Sequence, residues 1–125
     1  MIIVDTSIWI EFLKQNPTIT DEMIVLLENK EVATIEPIFS ELIYGVRNEK
    51  EKSKVTGFWK ILPKVVFGSG TLIDAASFAN KSGFQNKGIG LIDAVIIKTS
   101  MDNNYKVWTL DNKLKSALST QYLYK

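Results

Sequence analysis

The chain contains neither cysteine nor histidine. Without cysteine there is no disulfide and no thiolate metal site. Without histidine there is no imidazole ligand, and Ser-His or Cys-His nucleophiles are excluded. Chemistry is left to carboxylates, hydroxyls, Lys, Arg and Tyr. Any protein-bound metal must be a hard, oxygen-preferring ion such as magnesium or manganese. Long apolar runs are also missing, and none approaches the ~20 residues of a membrane span. No basic segment precedes the opening "MIIV", and polar residues soon interrupt it, so a secretory pattern is absent and a cytoplasmic protein is expected. Charge of one sign is lacking too: 15 basic residues stand against 14 acidic, which by itself gives no polyanion-binding signal. The glycine pairs "GSG" (68–70) and "GIG" (88–90) lack the third glycine and the later acid of a dinucleotide-binding fold.

What is present suits one compact domain spanning residues 1–125, large enough to bury its own core. Strands are expected at "IIV" (2–4), "VATI" (32–35), "KVVF" (64–67), "KVWTL" (106–110) and "TQYLY" (120–124). Most are short β-branched or aromatic runs of the kind buried in parallel sheets. Helical patterns separate them. One follows Asp5, and a second is "DEMIVLLEN" with Thr20 as its cap. A third runs from Pro37 through "PIFSELIYGVRNE". A fourth is opened by a Thr71/Asp74 capping box and closed by Gly83. "IDAVIIKTSMDN" and "NKLKSAL" complete the set. Strands alternating with helices imply an α/β sandwich with a parallel sheet, whose ligands bind beyond the carboxyl ends of the strands.

Two acids stand at such ends: Asp5 after "MIIV" and Asp111 after "KVWTL". Each has two readings, as a helix N-cap or as part of a site. Thr6 and Ser7 offer alternative caps beside Asp5. Glu41 has Pro37, Ile38, Tyr44 and Gly45 at helical spacing, with no basic partner, and is expected to lean inward. Asp93 opens a helix apolar nearly all round. A helix end stabilises an acid by roughly 0.3–1 kcal/mol, whereas desolvating a lone carboxylate costs several kcal/mol, so Asp93 needs a cation. Four such acids suggest a hard-metal site working on a phosphodiester, with water activated on one side and the leaving oxygen stabilised on the other.

The stretches "VDTSIWIEFL", "ELIYGVR", "LIDAVIIKTS" and "VWTLDNKL", in this order, resemble the PIN domain, specifically the small VapC-type toxins of bacterial toxin–antitoxin pairs. The resemblance spans essentially the whole chain. It implies a Mg2+- or Mn2+-dependent ribonuclease with the catalytic quartet Asp5, Glu41, Asp93 and Asp111, of which Asp5, Asp93 and Asp111 hold the metal. It also implies Thr6 and Thr109 as supporting hydroxyls. The implied fold is a three-layer α/β/α sandwich on a five-stranded parallel sheet in the order 3-2-1-4-5. Implied partners are an RNA substrate, a cognate antitoxin lying across the active-site groove, and a second copy in a homodimer. The chain departs from many relatives in having Leu114 where an aromatic residue often stands, and in lacking a glycine before the final strand.

If the quartet is occupied by metal, 15 basic residues face the remaining 10 acids, a balance of +5 suited to phosphate contact. Arg47 is the foremost candidate for substrate or antitoxin contact. Most other lysines, Lys50, Lys52 and Lys54 included, read equally as solvated. Trp9, Phe12, Phe58 and Trp59 read as core or dimer-interface aromatics. Competing readings are a PIN nuclease of RNA processing, a haloacid-dehalogenase-like phosphatase or receiver domain, and a non-catalytic binding module. The phosphatase needs an acid where Ser7 stands, and the receiver an acceptor that "VVFGSG" lacks.

Overall fold

The computed structural model describes residues 1–125. The chain runs β1 (Ile2–Val4), α1 (Thr6–Leu13), α2 (Pro17–Glu28), β2 (Val32–Ala33), α3 (Glu36–Tyr44) and α4 (Glu49–Ile61). It continues through α5 (Thr71–Lys81), α6 (Leu91–Asn103), β3 (Lys106–Trp108) and α7 (Asn112–Ala117), with 3₁₀ turns at Phe84–Lys87 and Thr120–Tyr122. β1 is the central strand. It pairs in parallel with β2 through Ile2↔Val32 and Ile3↔Ala33, and with β3 through Ile2↔Lys106, Ile3↔Val107 and Val4↔Trp108. Helices cover both faces, as expected for the α/β class.

The sheet has three strands, not five. The outer two positions are reduced to single parallel bridges, Thr34↔Lys64 beyond β2 and Val107↔Leu123 beyond β3, which keep the expected order. Both outer segments have other partners for their polar groups. The Thr34 amide donates to the Pro63 carbonyl at 3.0 Å and the Val65 amide to the Thr34 carbonyl at 2.9 Å, after which Val66 is exposed and the chain turns at Gly70. At the far edge, Thr120–Tyr122 coils into a 3₁₀ turn, and the Tyr124 hydroxyl and Lys125 ammonium bond to Glu22 of α2 at 2.9 and 2.7 Å.

Helix boundaries differ in three places. α2 begins at Pro17 because Asn16, not Thr20, accepts the Thr18 amide at 3.1 Å. Thr71 does not cap α5; its Oγ1 accepts from the Gly68 amide, and Gly70 at φ +92° supplies the left-handed turn ahead of the helix. Gly83, at φ +69°, ends α5 as expected. The helix expected to run from Pro37 to Glu49 stops at Tyr44, and a separate helix, α4, starts after Asn48, whose side chain accepts the Glu51 amide at 2.8 Å.

β1 is buried along its length, and Ile8, Trp9, Ile38, Ile96 and Leu114 are fully buried around it. Leu114 thus fills the core where relatives often use an aromatic ring. Trp9 lies at the centre of an aromatic cluster, with ring centroids 5.1 Å from Phe39, 5.3 Å from Phe58 and 5.9 Å from Phe12. Trp59 joins through Phe39 at 5.6 Å. The cluster bolts α1, α3 and α4 together and so fixes the helices that carry one side of the site. No helix is long and apolar enough to cross a membrane.

Candidate active site

Asp5 continues the β1 ladder by one bond, its amide donating to the Trp108 carbonyl at 2.9 Å. It occupies the N-cap position of α1 with extended backbone, yet its side chain makes no capping bond. Neither Thr6 nor Ser7 caps the helix instead. The Asp5 carboxylate, almost fully buried, accepts from Thr109 Oγ1 at 2.7 Å and from Ser7 Oγ at 2.9 Å. Both donors land on Oδ2, which leaves Oδ1 without a protein partner. The hydroxyls are themselves held: Ser7 Oγ accepts the Leu110 amide and Thr109 Oγ1 the Asp111 amide, each at 3.0 Å. A hydrogen-bonded frame therefore ties the end of β1 to the end of β3.

Thr109 is placed where a carboxylate orienter was expected. Ser7, weighed in the sequence only as a cap, emerges as its equal. The signal was the hydroxyl two positions after Asp5, but two periodicities meet there, and the helical one suggested a cap.

Asp111 caps α7, its Oδ1 accepting from the Lys113 amide at 2.8 Å and the Leu114 amide at 3.4 Å. Its Oδ2 is free of those bonds, so the capping and site readings are compatible. Asp93 sits in the first turn of α6, half-buried. Its carboxyl is pushed up to about 6, first by burial and then by the charges of Asp5, Asp111 and Glu41. That dependence brings all four acids into one electrostatic cluster.

Glu41 corrects the expectation of an inward-leaning acid: it is exposed, at the rim. Thr6 Oγ1 donates to it at 3.4 Å, a long bond. Partial desolvation and then the Asp5 charge raise its pKa, opposed by Thr6. With solvent this close, the repulsion is well screened. None of the four acids is in an ion pair; the pairs present are Arg47–Glu51, Lys98–Asp102 and Lys125–Glu22.

The donor set is all oxygen and its charge is uncompensated, which fits a hard divalent cation. No three acidic side chains stand close enough to enclose an ion by themselves. That suits a magnesium-type site, where one or two carboxylates bind directly and waters complete the shell.

Arg47 does not reach the acids. It donates to Glu51 through its backbone amide at 2.8 Å and through Nη2 at 3.1 Å. It borders a groove of about 390 Å³ that opens beside Glu41, with Ile10, Leu42 and Val55 in its wall and Lys14, Lys50 and Lys54 around it.

Residues 2–117 match the model of the PIN domain family. No curated protein matches the sequence significantly. The fold is similar to that of VapBC2 from Rickettsia felis bound to a DNA fragment from its promoter, with a TM-score of 0.73 and 21% identity over 98% of this chain and 96% of that one. A toxin–antitoxin complex from Klebsiella pneumoniae gives a TM-score of 0.72 at 15% identity, covering 98% and 99% of the two chains. FitAcB from Neisseria gonorrhoeae gives 0.57 at 18%, covering 94% and 92%. At these identities the likeness establishes the fold. The family match sets aside the phosphatase and receiver readings, and nearly the whole chain is covered by it: this protein belongs to the PIN domain family.

Proposed function

We propose that the protein is a divalent-metal-dependent endoribonuclease and the toxin of a toxin–antitoxin pair. The observation that carries the nuclease reading is the hydrogen-bonded frame that brings Asp5 and Asp111 to the joined ends of β1 and β3. Glu41 is linked to it through Thr6, and the Asp93 pKa is raised by burial and by the charges of the other three. Asp5, Asp93 and Asp111 would hold the ion, Mg2+ or Mn2+, with Asp5 presenting Oδ1. When bound, such an ion activates a water and stabilises the leaving oxygen in an in-line attack on a phosphodiester.

The chain's own residues set the stage for that attack. Thr109 and Ser7 hold the Asp5 carboxylate in one orientation and keep Oδ2 occupied. Glu41, solvent-accessible and with its affinity for protons increased, is suited to take a proton from an attacking water. Thr6 Oγ1 steers the Glu41 carboxylate toward Asp5.

The toxin assignment is supported by the structural neighbours, one of which is described as a toxin–antitoxin complex and another as VapBC2, together with the resemblance of the sequence to VapC-type toxins. The groove beside Glu41, with apolar walls and a basic border, suits an antitoxin segment that would cover the site, with Arg47 at its edge. A homodimer is supported by exposed apolar side chains on α5, Leu72 and Ile73. A cytoplasmic location is part of the same reading, since the proposed RNA substrate would be met there.

The test is RNA cleavage by the purified protein in manganese, compared with Asp5→Asn and Asp93→Asn. The wild type is expected to cut and both variants to be inert at unchanged melting temperature. Equal rates in all three proteins would sink the assignment. Co-purification of a small protein encoded beside it, with loss of cleavage in the complex, tests the toxin part.

A further inference from the structure

The cations around the groove are grouped with Glu41. The segments that carry Asp93 and Asp111 have a different arrangement. Gly88 lies in the loop leading to α6 and holds φ at +73°. A Cβ at Gly88 would stand 3.3 Å from Lys113 Nζ, 3.5 Å from its Cδ and 3.6 Å from its Cε. Gly88 is the one glycine whose missing side chain is replaced by the side chain of a distant residue. The Lys113 stem is therefore laid along the loop that delivers Asp93, while its amide is held by Asp111 Oδ1 at 2.8 Å.

The Lys113 ammonium takes part in none of the ion pairs. A side chain with several rotatable bonds is thus laid across two acid-bearing segments, with its charge left unpaired. Lys87, next to Gly88, adds a second ammonium, 5.8 Å from the Phe84 ring.

We propose that Lys113 is a substrate contact, gripping a backbone phosphate of single-stranded RNA on the Asp93/Asp111 side of the scissile bond. The inference rests on the ribonuclease reading above. A polyanionic strand crossing four carboxylates is favoured by cations beside them. Lys14, Lys50 and Lys54 already border the groove next to Glu41, whereas Lys113 accompanies Asp111 and the loop before Asp93. A lysine supplies a point charge without reading sequence, which suits a backbone contact. A Cβ at Gly88 would press on the Lys113 stem and ammonium, and the φ of +73° separately favours glycine there.

The test uses the Asp93→Asn protein, expected to hold RNA without cutting it, and measures the dissociation constant of a labelled single-stranded RNA across a salt series. Lys113→Met keeps the stem and removes the charge. The expected result is affinity weakened several-fold and a log–log salt slope shallower by about 0.7, one phosphate contact on a single strand. Lys113→Arg should retain the parent slope. An unchanged slope in Lys113→Met, with or without a drop in melting temperature, would show that the lysine only packs on Gly88 and would overturn the proposal. Absence of any RNA affinity in the parent would overturn it as well. Cleavage by the wild type is read separately, so failure of the nuclease reading is distinguishable from failure of the Lys113 contact.

Discussion

Thr109 Oγ1 and Asp5 Oδ2 lie 2.7 Å apart across 104 positions of sequence. The bond joins the ends of two adjacent parallel strands, and its acceptor is an almost fully buried carboxylate. Hydrogen bonds to charged groups contribute about 1.5–3 kcal/mol, and losing one partner leaves the other unsatisfied.

Thr109→Val keeps the shape and removes the donor. It is expected to lower stability by about 1–3 kcal/mol, and to weaken metal binding by roughly 10–100-fold through loss of ligand orientation. Ser7→Ala should act in the same direction but less, since Thr109 still holds Oδ2. Chemical denaturation and manganese titration of the two variants check this order. A larger loss in Ser7→Ala than in Thr109→Val would reverse the assignment of the stronger support.

The pH dependence of the metal-free protein has a definite sign. Asp93 titrates near 6 in the folded chain against an ordinary 3.8, so the native state retains a proton that the unfolded chain has released. Stability therefore falls as pH rises from about 4 to about 6 and levels off above. Glu41, also raised, adds in the same sense, whereas Glu22 and Glu51, both lowered, act at the acidic end with the opposite sign. Melting temperatures in a chelator between about pH 4 and 6 should carry this declining contribution in the wild type and lack it in Asp93→Asn.

Manganese should reverse that penalty. A ligand at 100 times its dissociation constant stabilises the folded state by about 2.7 kcal/mol. The wild type is expected to gain melting temperature with added manganese, while Asp93→Asn and Asp5→Asn gain little. Calorimetric scans across a manganese series would show it, and equal gains in all three proteins would place the ion elsewhere.

The aromatic cluster has its own signature. Trp9 is fully buried against three phenylalanines, and its indole N–H has no hydrogen-bond partner. Trp9→Ala should cost about 3–5 kcal/mol. Trp9→Phe should cost much less, because it removes the unpartnered donor while keeping an aromatic ring in the cluster. Urea midpoints of the two variants would decide it.

The acids of the site were legible because the sequence offers so few other chemical groups. With no histidine or cysteine, unpaired carboxylates at strand ends and on apolar helices had few alternative explanations. Asp93 was the clearest, since an acid opening an otherwise apolar helix conflicts with burial. Glu41 was placed correctly on α3 but not in depth, because helical spacing gives a direction and not the distance to solvent. α4 was missed altogether: "NEKEKSKV" looks like a solvated continuation of α3, and its buried residue Val55 stands alone among charges. The outer strands were over-read because β-branched composition reports burial, while Pro63 and the bonds to Glu22 determine how far pairing continues. Ser7 could be recognised as a support for Asp5 only from its hydroxyl's placement against Asp5 Oδ2 and the Leu110 amide, since the adjacency of the two strands was already expected.

The central place of β1 gives the two sides of the site unequal mechanical character. Asp5 is mounted on a fully buried strand with neighbours on both edges, and its amide is bonded to Trp108. That amide should be among the last to exchange with solvent, opening only when the whole domain opens. Glu41 rides on a short helix that ends at Gly45 and faces water. Asp5 is thus held by the sheet itself. Glu41, on a helix fixed by Phe39 in the aromatic cluster, keeps a solvent-facing side chain, so adjustment to a bound strand falls to the Glu41 rotamer and leaves both backbones in place.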